Sequence, residues 1–391
     1  MNSFHRATFR TGSARRKSMR EEAHRPAAER CTRFVVDRTH MGRRASGIER
    51  ITDQLFSPPA LHPIALESSR ECASRSSMIV QQMLANPTRA MLSRDTVWVF
   101  PGYPPSPAFV FLRERTVFYV HDLFLITRSQ DLNRGAKLYM APPFRLAIGA
   151  LRYFLVNSET TLRELLAWVR PDAEVRLYRP VVGNVFGVTP RTKEQGSEGP
   201  LGRTRPLIVG ALGTIEPRKN FLAAARVCED LRRRLDVPVE LHIIGRPGWG
   251  KDATELGRMP GVVLHGFLDD DEARAAIGRF DLFLSTAHDE GLGLPLLEMQ
   301  YAGLPVVVPD QPIFREVLGG SGTFVDPARP DDAARTIARL FDAPDWRSSA
   351  ARAAAANLDR WNRQAEADRR NVVAFLSAIA AGSGVQQEPA R

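Results

Sequence analysis

The 391-residue sequence predicts an α/β protein made of two Rossmann-like halves, each built on a largely parallel sheet. Three observations predict it. Short apolar runs alternate with segments of helical period along most of the chain. Residues 188–205 carry no apolar pattern and many turn residues, so they read as a linker. A strand, a glycine-bearing loop and a helix start recur in both halves. The chain is also long enough for two full cores.

Residues 1–30 are rich in Arg, Ser, Ala and Glu without periodicity, and read as a disordered or weakly helical basic extension. The first half, 31–187, opens with a strand at Thr32–Asp37, a loop ending at Gly47 and a helix from Ile48. Further strands are expected at Thr96–Phe100, Thr116–Val120, Tyr153–Asn157 and Glu174–Leu177. Asn133–Ala150 reads as helix, broken or kinked at Pro142-Pro143. Ser158 is placed to cap a helix running to Trp168. The second half, 206–360, predicts strands at Pro206–Ala211, Glu240–Ile244, Gly261–Leu264, Asp281–Ser285, Pro305–Val308 and Gly322–Val325. Phe221–Leu235 has helical period, and the acidic run Asp269–Glu272 suits the first turn of a helix over Asp271–Ile277, where carboxylates favour the dipole. A last helix is expected at 361–381, followed by a tail, 382–391.

Composition narrows the function classes. Hydrophobic residues make up 43% and charged residues 25%, an ordinary soluble composition. No apolar run approaches a membrane span; the best, Leu146–Val156, is interrupted by Arg152. Three scattered cysteines without metal spacing argue for a reducing compartment, and the N-terminus lacks an apolar h-region, so the expected location is cytoplasmic. The net charge of +10 is uneven: residues 1–190 hold 28 Lys+Arg against 16 Asp+Glu. No nucleic-acid module or interleaved aromatic set accompanies it, so nucleic acid is not an expected partner. An anionic membrane surface, or a generally arginine-rich composition, accounts for the excess.

Two motifs carry chemistry. The first is His288-Asp-Glu-Gly-Leu-Gly-Leu-Pro-Leu-Leu-Glu298, between the run Asp281–Ser285 and Ala302-Gly-Leu-Pro305. Its glycines free the backbone N–H groups of Gly291, Leu292, Gly293 and Leu294 to meet an anion at a helix start. Glu290 lies beside that turn, and Glu298 about two turns along. The second is Gly210-Ala-Leu-Gly-Thr-Ile-Glu-Pro-Arg-Lys-Asn220, after an apolar run. It places Gly213, Arg218 and Lys219 on a loop at the sheet's C-terminal edge, where open α/β sheets bind ligands. Two adjacent cations suit a diphosphate, Arg as a fork and Lys as a point charge. A third stretch, Gly245–Lys251, mimics a P-loop, but Asp252 stands where that motif needs Ser or Thr and Pro247 removes an N–H.

Together these motifs resemble those of the retaining, family-4 type glycosyltransferases of GT-B fold, with a mannosyltransferase-like Gly245–Asp252 loop. The likeness extends over about residues 32–380. It implies two Rossmann-like domains with parallel sheets facing a central cleft, an acceptor domain first and a nucleotide-sugar donor domain second, and a last helix crossing back. It implies transfer of a sugar from a nucleoside-diphosphate sugar, GDP-mannose as first choice, to a hydroxyl of a lipid-linked saccharide in envelope or exopolysaccharide synthesis. No cofactor or metal is implied. Arg218 and Lys219 would meet the leaving diphosphate, Glu290 the sugar hydroxyls and Glu298 the ribose. Gly47 would face the phosphates or the acceptor, and the backbone at Leu268 the base, with Phe267 either beside it or in the core. His121, at a sheet edge, would lie near the transferred sugar; the competing reading is a structural histidine held by Asp122 or a carbonyl. The basic extension departs from the family. Rival readings are a GT-B nucleotide-sugar epimerase or hydrolase, a non-catalytic scaffold, and an NAD-dependent oxidoreductase, which the missing Gly-x-Gly-x-x-Gly after the first strand disfavours.

Overall fold

The computed structural model describes residues 33–41, 47–128, 135–190 and 205–382. The predicted extension, most of the linker and the tail beyond Gly382 lie outside them. The described chain forms two parallel sheets of six strands. The first holds β1 (Arg33–Val36), β2 (Leu66–Ser68), β3 (Thr96–Phe100), β4 (Thr116–Val120), β5 (Tyr153–Val156) and β6 (Glu174–Leu177), in the order β2-β1-β3-β4-β5-β6. Every residue of β3, β4 and β5 is buried, as expected of parallel strands covered on both faces. Sequence reading missed β2: three residues, Leu-Glu-Ser, are too few to show a period. The second sheet holds β7 (Leu207–Leu212), β8 (Val239–Ile244), β9 (Val262–Gly266), β10 (Leu282–Leu284), β11 (Val306–Pro309) and β12 (Gly322–Val325). Its order is β12-β11-β10-β7-β8-β9.

Strand order locates the crevices. The chain winds outward in one direction from β1 to β2 and in the other from β3, and likewise from β7 to β9 and from β10 to β12. Ligand crevices of doubly wound sheets open where the winding reverses, beyond the strands' C-terminal ends. The loops after β1 and β3, and those after β7 and β10, therefore become the places to look.

Local signals explain most helices. Ser158 accepts the amide of Thr161 at 3.0 Å and starts the helix Glu159–Leu166. Asp269 and Glu272 form a reciprocal capping box on Asp270–Ile277, so the acidic run is a helix start. The helical stretch is interrupted at Pro142-Pro143, as expected: a π-helical turn, Ala136–Met140, runs directly into Ala141–Ala150, whose first turn holds both prolines, where a missing N–H is tolerated.

The last helix runs Trp346–Ala380, starting well before the expected residue 361. Ala-rich residues 350–356 favour helix by propensity while showing no apolar stripe, so periodicity did not reveal them. This helix joins the halves. Leu358 and Trp361 pack into the second half's core, and the Trp361 indole N–H donates to the Pro180 carbonyl at 2.9 Å. Val372, Phe375 and Leu376 pack with Phe34, Val36 and Tyr119 of the first. Arg179 Nη1 reaches Asp368 at 2.8 Å. Beside it, Glu316 of the second half accepts the amides of Glu159 and Thr160 at 2.7 and 2.9 Å, capping a first-half helix from across the divide. Among the described residues no helix is long and apolar enough to cross a membrane.

Candidate functional site

The loops after β7 and β10 meet at the second sheet's reversal point. The first contains a single 3-10 turn, Pro217–Lys219, and Asn220 in the left-handed region launches the helix Phe221–Leu235. The second crosses above it. His288 N donates to Arg218 O at 2.9 Å, and Thr286 Oγ1 to Asn220 O at 2.8 Å. These bonds fix Glu290 between the two cations that sequence reading singled out. Arg218 Nη1 donates to Glu290 Oε2 at 3.1 Å and to Asp289 O at 2.8 Å, and Lys219 Nζ bonds Glu290 Oε1. Arg218 also forks onto Glu216 Oε1 at 2.8 and 3.1 Å, and its guanidinium lies 5.2 Å from the Phe124 ring centre of the first half. Burial works against the Glu290 carboxylate, but Lys219 and Arg218 outweigh it and hold the carboxyl below its ordinary range. The motifs thus assemble as one ionised cluster, in which the acid faces the cations.

Gly213 (φ +132°) turns the chain under Lys219. Gly291 has a different task. A Cβ there would lie 2.6 Å from His121 O and 3.1 Å from Asp122 Cβ, so only glycine lets the two halves touch at this point. Gly293, at φ +79°, caps the helix Leu294–Gln300 in a conformation that disfavours other residues. Among the described residues the amides of Gly291, Leu292, Gly293 and Leu294 have no acceptor. The Leu292 side chain is buried, and Leu294 packs against both halves' cores. The helix starts at Leu294, later than expected, so Glu298 stands only a little over one turn from its start. Glu298 is buried and its Oε1 bonds Arg50 of the first half. Burial raises its carboxyl, against the pull of Arg50.

On the first half's side, His121 Nε2 lies 2.7 Å from Pro101 O. A carbonyl can only accept, so Nε2 carries the proton and Nδ1 is left as an acceptor. Burial depresses this imidazole to about 4. Asp122 does not pair with it: its Oδ1 accepts the Phe124 amide at 3.0 Å, and burial pushes its carboxyl to about 6. The carbonyl-bound alternative therefore describes His121's contact, while its place beside Gly291 puts it at the junction of the halves.

Leu268 is half-buried against the second core, and Phe267 is no core residue: it is 67% exposed, with the Arg246 guanidinium 4.2 Å from its ring centre. Gly47 begins the helix Gly47–Leu55 in open space, and nothing around it requires glycine. Sequence reading missed four participants. Glu216 and Asp289 sit within the motifs already flagged. Arg128 reaches across to Asp289 at 3.2 Å and His288 O at 3.0 Å, and Arg50 reaches Glu298; a cross-domain partner leaves no local signal. Asp37, a buried acid closing β1, accepts Thr39, Ser69 and Asn86, which braces the first crevice.

The Glycosyl transferases group 1 family matches residues 194–357, which include every motif residue of the cluster. Among curated proteins the chain is 27% identical to O-antigen chain mannosyltransferase B of Escherichia coli, over 69% of this chain and 74% of that one. It is 28% identical to serotype-specific mannosyltransferase WbdA of the same organism over 32% of its own length, but spans only 16% of that relative. The fold matches the Anabaena protein HepE, solved with UDP and glucose, at a TM-score of 0.62 and 14% identity, over 89% of this chain and all (100%) of the other. Neighbours of this kind are GT-B glycosyltransferases.

Proposed function

We propose that this chain, which carries a group 1 glycosyl transferase domain on a GT-B framework, is a retaining glycosyltransferase that moves a sugar from a nucleoside-diphosphate donor to an acceptor hydroxyl. The observation that carries the proposal is the convergence of Arg218 and Lys219 on Glu290 at the reversal point of the second sheet. In the proposed reaction the two cations turn to the leaving diphosphate and offset its growing charge. They supply the positive charge that a metal would otherwise bring, so metal independence is part of the proposal. Glu290 then holds sugar hydroxyls, Glu298 the ribose, and the free amides of Gly291–Leu294 a phosphate oxygen. Gly213, Gly47 and Leu268 line the donor's path. The departing phosphate takes the acceptor's proton. Neutral His121, with Nδ1 as acceptor, orients a hydroxyl of the transferred sugar.

Mannose is the first donor choice. The Gly245–Asp252 loop suggests it, and the relatives named as mannosyltransferases support it. The UDP-bound neighbour makes UDP-sugars the alternative. The acceptor is proposed to be a lipid-linked saccharide of envelope or exopolysaccharide synthesis, met at the cytoplasmic face of a membrane. Supporting this, the basic excess lies in residues 1–190, and Val80, Leu84 and Leu92 of the first half are 56%, 64% and 80% exposed. The test is incubation with GDP-mannose and with UDP-sugars, with and without saccharide acceptors in EDTA, followed by NMR of the anomeric centre. Transfer with retained configuration is expected. Conversion of donor without any acceptor would replace the proposal with an epimerase or hydrolase, and an inverted product would overturn the retaining mechanism.

A further inference from the structure

Glu298 is not open to the cleft. Its side chain is 4% exposed, whereas that of its partner Arg50 is 45% exposed. The half-exposed Arg50 guanidinium holds Oε1 of this nearly enclosed carboxylate. A group that binds this oxygen must take the place of the guanidinium. Arg50 stands on the helix Gly47–Leu55, which buries Ile51, Thr52 and Leu55, so its long side chain can swing away without disturbing the helix's packing. Among the described residues Glu298 is its only hydrogen-bond partner, so leaving breaks one contact.

We infer that Arg50 is a resident counter-ion of Glu298 that the ribose of a bound nucleotide displaces, and that it thereby sets the affinity for nucleotides with intact ribose hydroxyls. The inference rests on the reading of Glu298 as the ribose residue. Its chemistry is an exchange of hydrogen bonds. Two hydroxyls donate to a carboxylate that a guanidinium has released, and the guanidinium returns to water. A ligand without those hydroxyls has nothing to offer Glu298 and leaves Arg50 where it is.

The two kinds of ligand give the test. Calorimetric titrations use GDP, UDP and their 2′,3′-dideoxy counterparts on the full chain and on Arg50→Ala, Arg50→Gln and Arg50→Lys. Loss of a partly exposed ion pair corresponds to roughly a fivefold change. Arg50→Ala and Arg50→Gln are expected to bind the ribonucleotide about fivefold tighter, with the dideoxy nucleotide unchanged. Arg50→Lys, which keeps a cation there, stays close to wild type. Weaker or unchanged ribonucleotide binding in Arg50→Ala and Arg50→Gln overturns the inference, because Arg50 is then a ligand contact or a bystander. An equal gain on both ligands also overturns it, since that reports a loosened cleft. If the wild type binds ribo and dideoxy forms equally, the ribose reading of Glu298 fails first and takes the inference with it.

Discussion

Glu290→Gln removes one negative charge from between two half-buried cations. Arg218 keeps Glu216 and the Asp289 carbonyl, whereas Lys219 loses its carboxylate. Breaking a buried pair by deleting one partner costs about 3–5 kcal/mol. The three side chains here are 12–20% exposed and Arg218 retains partners, so the low end, about 3 kcal/mol, applies. At about 2–4 °C per kcal/mol for a domain of this size, the thermal midpoint should fall by roughly 6–12 °C. A nucleoside diphosphate should then raise the variant's midpoint more than the wild type's, because its phosphates meet cations that Glu290 no longer neutralises. Turnover should fall about 10²-fold in the same variant, since the proposed contact to the sugar hydroxyls is lost. Scanning calorimetry with and without GDP and UDP measures the first two effects. A variant that melts like wild type and gains no more from nucleotide would refute the reasoning.

Other outcomes follow from the same geometry. His121 and Asp122 give opposite pH slopes. The unfolded chain binds His121's proton more tightly, so stability falls as pH drops from 6.5 to about 4; the folded chain binds Asp122's proton more tightly, so stability falls as pH rises from 3.8 to about 6. Asp122→Asn should therefore show a steeper loss of midpoint between pH 6.5 and 4.5 than wild type, and a parallel pH profile would contradict the assigned burial effects. Transfer should survive EDTA without restoration by magnesium or manganese, and a metal-restored loss would show that the two cations do not suffice. The full chain should co-sediment with anionic vesicles at low salt and release at high salt, given the basic first half. Indifference to anionic vesicles at low salt would make a soluble acceptor the better reading.

Much of this was legible in the sequence because the relevant signals are local. Every strand but β2 falls within a few residues of its expected place, and the central ones stand out because a parallel strand buried on both faces is an almost uninterrupted apolar segment. That Arg218, Lys219 and Glu290 would come together was legible because the strand–loop–helix pattern places each beside a sheet edge. The failures share a cause. The three-residue β2 and the alanine-rich start of the last helix carry no periodicity to read. Arg50 and Arg128 meet residues 248 and 161 positions away, so only the folded arrangement of the halves shows what they do. Phe267 illustrates a third limit: an aromatic after a strand suits a core equally well, and its exposed contact with Arg246 decides otherwise.

The central claim is that Arg218 and Lys219 recognise a diphosphate, and the most direct measurement compares ligands that differ in that group alone. Wild type, Arg218→Ala and Lys219→Ala would each be titrated calorimetrically with GDP and guanosine, and with UDP and uridine. Each charge-assisted hydrogen bond to a phosphate contributes about 1.5–3 kcal/mol, roughly 10- to 100-fold. The wild type should bind its diphosphate at least about 100-fold more tightly than the bare nucleoside, and each variant should lose about tenfold or more of that preference while binding the nucleoside as before. A preference for the diphosphate that survives intact in both variants would place the phosphates elsewhere and contradict the account.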